Sequence, residues 1–231
     1  MKHTMKNTMT RSLQFNFLFK RVTLAVAAAL ALSTLAACVP LVIGGAMVGG
    51  TMMAIDRRTS GAQLEDEGIE LRAASRIRTN IGDRVHVNVT SYNRQVLITG
   101  EVPNEQDKQA VGQIATKVEN VTSIVNELVV SPISTLSQRS NDVLITGRIK
   151  ASLIDSKDLV SSAFKVVTER GTVYLMGRVT AREADRATAI ARGTTGVQKV
   201  VRVFETITEE ELTRMMPAPA KPDANKTKPA N

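Results

Sequence analysis

Val96-Leu-Ile-Thr-Gly-Glu-Val102 returns further along the chain as Val173-Tyr-Leu-Met-Gly-Arg-Val179. Each run reads as a strand with a Gly near its end, and looking for such internal repetition comes before any local reading. A second β-rich run precedes each one: Val85-His-Val-Asn-Val-Thr90 in the first copy and Phe164-Lys-Val-Val-Thr168 in the second. Alternation puts Val85, Val87 and Val89 on one face. His86 falls between them and points the other way, which predicts a half-exposed strand histidine rather than a ligand or catalytic base. The linking turns contain Asn93 and Gly171, residues that tolerate the positive φ of tight hairpins.

Working outward, a helix follows each hairpin. In the first copy Asn104 is the expected N-cap, with Ala110, Val111, Ile114, Ala115 and Val118 at helical spacing. In the second, Thr180-Ala-Arg-Glu183 has the form of a capping box, ahead of Ala184, Ala187, Ile190 and Ala191. Gly193 and Gly196 sit where that helix should stop. A last strand spans 121–130 in one copy and 197–207 in the other. An opening helix is expected near 69–81, marked by Leu71, Ala74 and Ile77, and again near 142–154, capped by Asn141 or Asp142. The order in both copies is helix, strand, strand, helix, strand. The class is therefore α+β: two tandem αββαβ units, each a three-stranded sheet covered by two helices. The boundaries read 62–131 for the first unit, 132–138 for a linker, 139–207 for the second and 208–231 for a tail. The tail's Glu209-Glu210-Glu211 run suits a short helix, and its Pro-, Ala- and Lys-rich end suits disorder.

Ahead of the repeats, residues 1–21 are basic and Val22 to Leu35 are rich in Ala and Leu. That apolar run is too short to span a bilayer and reads as the core of a signal peptide covering 1–37. It ends at Leu35-Ala36-Ala37-Cys38, which holds the single cysteine of the chain. A small apolar triplet before a lone Cys resembles a bacterial lipobox, with Cys38 as the acylated first residue of the mature protein. The stretch 38–61 that follows is apolar and Gly-rich as far as Ile55. It is either a segment lying along the membrane surface or a flexible tether. By resemblance to lipoprotein sorting signals, Val39-Pro40 in place of an aspartate points to the outer membrane.

Composition narrows the function classes. The formal charge of +8 includes five basic residues and no acid within 1–37, leaving +3 for the rest. With aromatic content of 3% and no Trp, this disfavours a nucleic-acid reading. His86 is the one histidine beyond the leader, so a His-based triad or a multi-His metal site is all but excluded, and neither cofactor nor metal is expected. Asp155 and Asp158 have no activated partner in sequence, and the glycines of 44–50 lack the Lys-Ser/Thr of a phosphate loop. The expectation is a protein that is not an enzyme.

Two αββαβ units behind a lipobox resemble the BON-domain family, in particular its lipoproteins with two BON units. Gly100 and Gly177, the helices opened at Asn104 and Thr180, and the runs Val121-Thr-Ser-Ile-Val-Asn-Glu127, Ser140-Asn-Asp-Val-Leu-Ile-Thr146 and Gly196-Val-Gln-Lys-Val-Val201 carry the resemblance. It implies a lipoprotein on the periplasmic side of the outer membrane. Such a protein would bind anionic phospholipid through the second unit and support envelope integrity, in some cases at the division site.

Charge separates the copies independently of that resemblance. Residues 62–131 carry seven Lys/Arg against ten Asp/Glu, and residues 139–207 carry twelve against seven. The second unit is thus the one expected to face phosphatidylglycerol or cardiolipin. On its opening helix Ile145, Ile149 and Leu153 repeat every four residues and should meet the sheet. Leu144, Arg148, Ala151 and Ser152 line an adjacent face, where Leu144 can enter the headgroup region while Arg148 pairs with phosphate. The family resemblance implies an aromatic residue at the position of Leu144, and this chain lacks it. The alternative for Leu144 is packing in the core or on the first unit. A second class of function also stays open, a protein adaptor for an envelope assembly machine or for cell-wall hydrolase regulation.

Overall fold

The computed structural model describes residues 56–215. The leader, Cys38, the apolar stretch to residue 55 and the end of the tail lie outside the described residues.

The first unit runs α1 (Ser60–Ile81), β1 (His86–Tyr92), β2 (Gln95–Val102), α2 (Glu105–Thr116), β3 (Ser123–Asn126) and β4 (Val129–Val130). The second runs α3 (Leu136–Asp155), β5 (Lys165–Glu169), β6 (Thr172–Val179), α4 (Ala181–Gly193) and β7 (Lys199–Thr206), with α5 (Glu209–Met215) after it. In each unit the hairpin is antiparallel and the last strand returns parallel to the middle one. Both hairpins turn on two residues of positive φ, Asn93-Arg94 and Arg170-Gly171, the requirement of a type I′ turn. Gly100 and Gly177 also have positive φ, and a Cβ on either would collide with a backbone carbonyl, of His86 and Ala163 respectively. That close approach explains why each middle strand carries a glycine there.

Several expectations need correction. Helix α1 starts at Ser60, not near residue 69, because Thr59 caps it from outside the apolar pattern, accepting from Ala62 N at 3.1 Å. Its buried stripe is Ile69, Ala73 and Ile77, whereas Leu71 and Ala74 are exposed. Helix α3 starts at Leu136, inside the expected linker, behind a capping box of Thr135 and Gln138. Asn141 and Asp142 are therefore mid-helix and cap nothing. The strand expected over 121–130 breaks at Glu127-Leu128. There the Asn126 side chain accepts from Leu128 N and donates to the Lys108 carbonyl, while Leu128 turns into the core. The short helix expected after Thr208 is present as α5, capped by Thr208 and Glu211.

Asp142 has a different task. Its two carboxylate oxygens accept from Arg170 N and Gly171 N, each at 2.8 Å. Asp66 does the same in the first unit, accepting from Asn93 N and Arg94 N at 2.7 Å and from the Ser91 hydroxyl at 2.6 Å. Each opening helix is thus stapled to its own hairpin turn by one buried aspartate. Burial opposes ionisation of Asp66, but Ser91, the two turn amides and Arg58 outweigh it and hold its carboxyl below the usual range.

Each sheet buries one face under its helices. Ile69, Ile77, Val111 and Ala115 meet Val96, Ile98 and Val102 in the first unit. Ile145, Ile149, Ala187 and Ala191 meet Val173, Leu175 and Val179 in the second. The opposite faces of the sheets pack on each other through Tyr92, Leu97, Tyr174, Met176 and Val203. The units therefore form one body of four layers, helices outside and two sheets within. Polar pairs rim this seam: Asn93 Nδ2 donates to Glu205 at 2.6 Å, Lys165 Nζ to Glu70 at 2.7 Å and Asn88 Nδ2 to Glu169 at 2.9 Å.

Candidate membrane-facing helix

Burying Ile145, Ile149 and Leu153 turns the opposite side of α3 to solvent. Leu144, Arg148, Ala151 and Ser152 all lie exposed on that side, as the spacing predicts. Leu144 packs neither in the core nor on the first unit. Arg148 donates to the Thr195 carbonyl at 3.2 Å and keeps the rest of its guanidinium in water.

The exposed surface is more apolar than those four residues suggest. Leu136, Val143, Leu144 and Ile154 of α3 are between 58% and 76% exposed. Helical spacing puts Leu136, Val143 and Ile154 in one stripe, with Leu144, Gly147 and Ala151 beside it and Arg148 and Lys150 on its two flanks. Sequence reasoning passed over Leu136, Val143 and Ile154 because it started the helix near residue 142 and followed one face adjacent to the core stripe. The signal was present, since α3 carries more large apolar residues than its buried stripe of three can hold.

Helix α1 occupies the equivalent place in the first unit and also exposes leucines, Leu64 and Leu71. Glu65, Glu67 and Glu70 surround them, with Arg72, Arg76 and Arg78 further along, so its leucines lack the purely basic border of the α3 stripe. In α3 the acids are Asp142, buried against the turn, and Asp155 at the last position.

Asp158 accepts from the Ser156 hydroxyl and pairs with Arg186 at 3.2 Å, while Asp155 ends α3 in solvent. His86 is less exposed than expected, its side chain 19% accessible, with Nδ1 2.8 Å from Glu101 Oε2. Glu101 projects from the seam side of β2, and Glu169 approaches from the second unit. Burial pushes the Glu169 carboxyl up, against the hydrogen bond from Asn88.

Residues 66–132 and 141–207 each match the BON domain. The chain belongs to the BON-domain family. It is 37% identical over 170 residues to outer membrane lipoprotein DolP of Haemophilus influenzae, an alignment spanning 73% of this chain and 88% of the relative. A 21 kDa hemolysin of Actinobacillus pleuropneumoniae is 33% identical over 65% of this chain and 78% of its own length. Osmotically-inducible protein Y of Escherichia coli is 30% identical over 52% and 61%. The BON pattern covers both repeats, so the exposed stripe of α3 belongs to the opening helix of the second BON unit.

Proposed function

We propose that this chain is a non-enzymatic lipoprotein of the outer membrane, anchored by an acyl group on Cys38 and facing the periplasm. In this reading it lays α3 of its second BON unit on anionic phospholipid and thereby supports envelope integrity. The observation that carries the proposal is the exposed apolar stripe of α3 bordered by Arg148 and Lys150. Apolar side chains entering the acyl boundary and cations at the headgroups are the two halves of interfacial helix binding. Each basic group near such a surface contributes roughly 1 kcal/mol. The names of the relatives support the compartment, and the Leu35-Ala36-Ala37-Cys38 run supports the anchor.

The test has two arms. Membrane fractionation of wild type and Cys38→Ala reads the anchor, with the variant expected in the soluble fraction. Co-sedimentation of the chain from Asp56 onward with phosphatidylglycerol or cardiolipin vesicles reads the helix. Leu144→Glu with Arg148→Glu should abolish that binding and leave the fold intact, since both side chains are exposed. Equal sedimentation of variant and wild type discards the site. The adaptor reading draws on exposed Val129, Val130 and Ile133 near the edge of the first sheet. It is favoured if the unacylated chain ignores vesicles altogether.

A further inference from the structure

His86, Glu101 and Glu169 place one imidazole nitrogen and two carboxylate oxygens within 4.8 Å of one another. His86 and Glu101 face each other across the β1–β2 ladder of the first unit, and Glu169 closes β5 of the second. Glu101 is fully buried and Glu169 nearly so, at 0% and 7% exposure. The set therefore straddles the seam between the units.

One carboxylate oxygen of the set lacks a hydrogen-bond donor among the described residues. Glu101 Oε2 is satisfied by His86 Nδ1 at 2.8 Å and the Ser134 hydroxyl at 3.3 Å. Glu101 Oε1 is buried and accepts no hydrogen bond among the described residues. The Arg170 guanidinium forms an ion pair with it at 3.5 Å, while its hydrogen bond goes to the Ser131 hydroxyl. Glu169 accepts from Asn88 at 2.9 Å through Oε2. A buried carboxylate oxygen without a donor is costly, and an ion beside it removes that cost. A cleft of about 320 Å³, with His86, Asn88, Arg139, Asp142 and Glu169 in its wall, opens beside the set and reaches two of its three members.

We propose that His86, Glu101 and Glu169 bind one divalent ion of the zinc class, clamping the first BON unit to the second. One nitrogen and two carboxylates are a donor set for zinc, with a fourth position left to water from the cleft. Magnesium and calcium prefer more ligands, all of them oxygen, so the imidazole selects against them. The two carboxylates balance the charge of the ion, and Arg170 keeps Ser131 when the ion takes Oε1. An imidazole nitrogen ligates a metal only when it carries no proton, so metal uptake releases protons. The site is independent of membrane contact and stands or falls apart from it.

The test uses the full acylated chain in detergent, stripped with a chelator and titrated with zinc or magnesium chloride at neutral pH. Calorimetry should show a saturable zinc site and no magnesium site. The imidazole resonances of His86, the one histidine beyond the leader, should shift with the same saturation. Thermal unfolding should move up with zinc in wild type. Glu169→Gln, which keeps an acceptor for Asn88, should unfold as the metal-free wild type does and bind zinc at least roughly ten-fold more weakly. No saturable zinc binding by wild type overturns the proposal. So does binding that leaves the His86 resonances unmoved, or that is as tight in Glu169→Gln.

Discussion

Arg57 grips both carboxylate oxygens of Glu183, with two hydrogen bonds of 2.7 Å and side chains only 6% and 3% exposed. The pair joins the stretch just ahead of the first BON unit to the first turn of α4 in the second. Arg57 also donates to the Arg178 carbonyl at 2.9 Å. Its neighbour Arg58 turns to the first unit, donating to Asp66 at 2.8 Å and lying 4.3 Å from the Tyr92 ring centroid. Two adjacent arginines thus hold one unit each at the point where the chain arrives from its anchor side.

Removing one partner of that pair strands the other. Arg57→Leu leaves the Glu183 carboxylate buried with only the Thr180 amide donating to it, and losing a partner of this kind costs about 3–5 kcal/mol. Glu183→Gln in the same chain should restore part of the loss, since Gln fills the same place in a capping box. Urea denaturation of the single and double variants measures both effects. A loss below about 1 kcal/mol for Arg57→Leu would show that the pair is no clasp.

Acid should loosen the same region. Burial works against the Glu183 carboxylate, but Arg57 and the Thr180 amide outweigh it, so its pKa lies below the ordinary 4.5. Asp66 lies below its ordinary 3.8 for the reasons given above. Where folded values are depressed, the unfolded chain binds more protons, so stability rises with pH through that range. The contribution is complete above the ordinary values and is lost as the pH falls through the folded ones. Melting temperature should therefore drop steeply below about pH 4, and Arg57→Leu should flatten the drop. A profile of equal steepness in the variant would remove Glu183 as a cause.

The repeat was legible because its parts are local: alternating valines, a hairpin turn and a capping box all lie within a few residues of each other. Gly100 and Gly177 were visible as motif positions, although the carbonyl they make room for was not. What escaped depends on long-range neighbours. Leu97, Tyr174 and Met176 fill the second face of strands that read as one-sided, and the unbroken apolar runs Val96-Leu-Ile98 and Val173-Tyr-Leu-Met176 were the sign of burial on both sides. Asp142 looked like a helix cap because an acid among apolar residues usually is one. Arg57 carried no pattern at all, since its partner lies 126 residues away. On the candidate surface, Leu144 and Arg148 followed from spacing, while Leu136 lay ahead of the helix start expected near residue 142, and Val143 and Ile154 fall on the face beyond Leu144.

The two aspartate staples should behave alike. Asp142→Ala leaves Arg170 N and Gly171 N without their acceptor, and each unsatisfied buried donor costs roughly 1–3 kcal/mol. Asp142→Asn keeps one acceptor oxygen and should lose about half as much. Asp66→Ala should cost at least as much, because Ser91 and Arg58 lose their partner too. Chemical denaturation compares them. A loss for Asp142→Ala within about 0.5 kcal/mol, the range of an ordinary surface change, would mean that water replaces the carboxylate.

Salt separates the two halves of the membrane contact. If Arg148 and Lys150 attract headgroups across water, their contribution decays over about 10 Å at 0.1 M salt and about 3 Å at 1 M. Insertion of Leu136, Val143 and Ile154 does not weaken that way, because burial of apolar surface is not screened. Vesicle binding of wild type should therefore weaken with salt to a residual plateau. Arg148→Gln with Lys150→Gln should begin near that plateau and change little with salt. Val143→Ser with Ile154→Ser should keep the salt dependence and lose the plateau, the side chains being exposed and the fold untouched. Co-sedimentation with phosphatidylglycerol vesicles across a salt series reads all three curves. If the serine variant keeps its plateau, the apolar stripe of α3 does not enter the bilayer, and the helix touches lipid through charge alone.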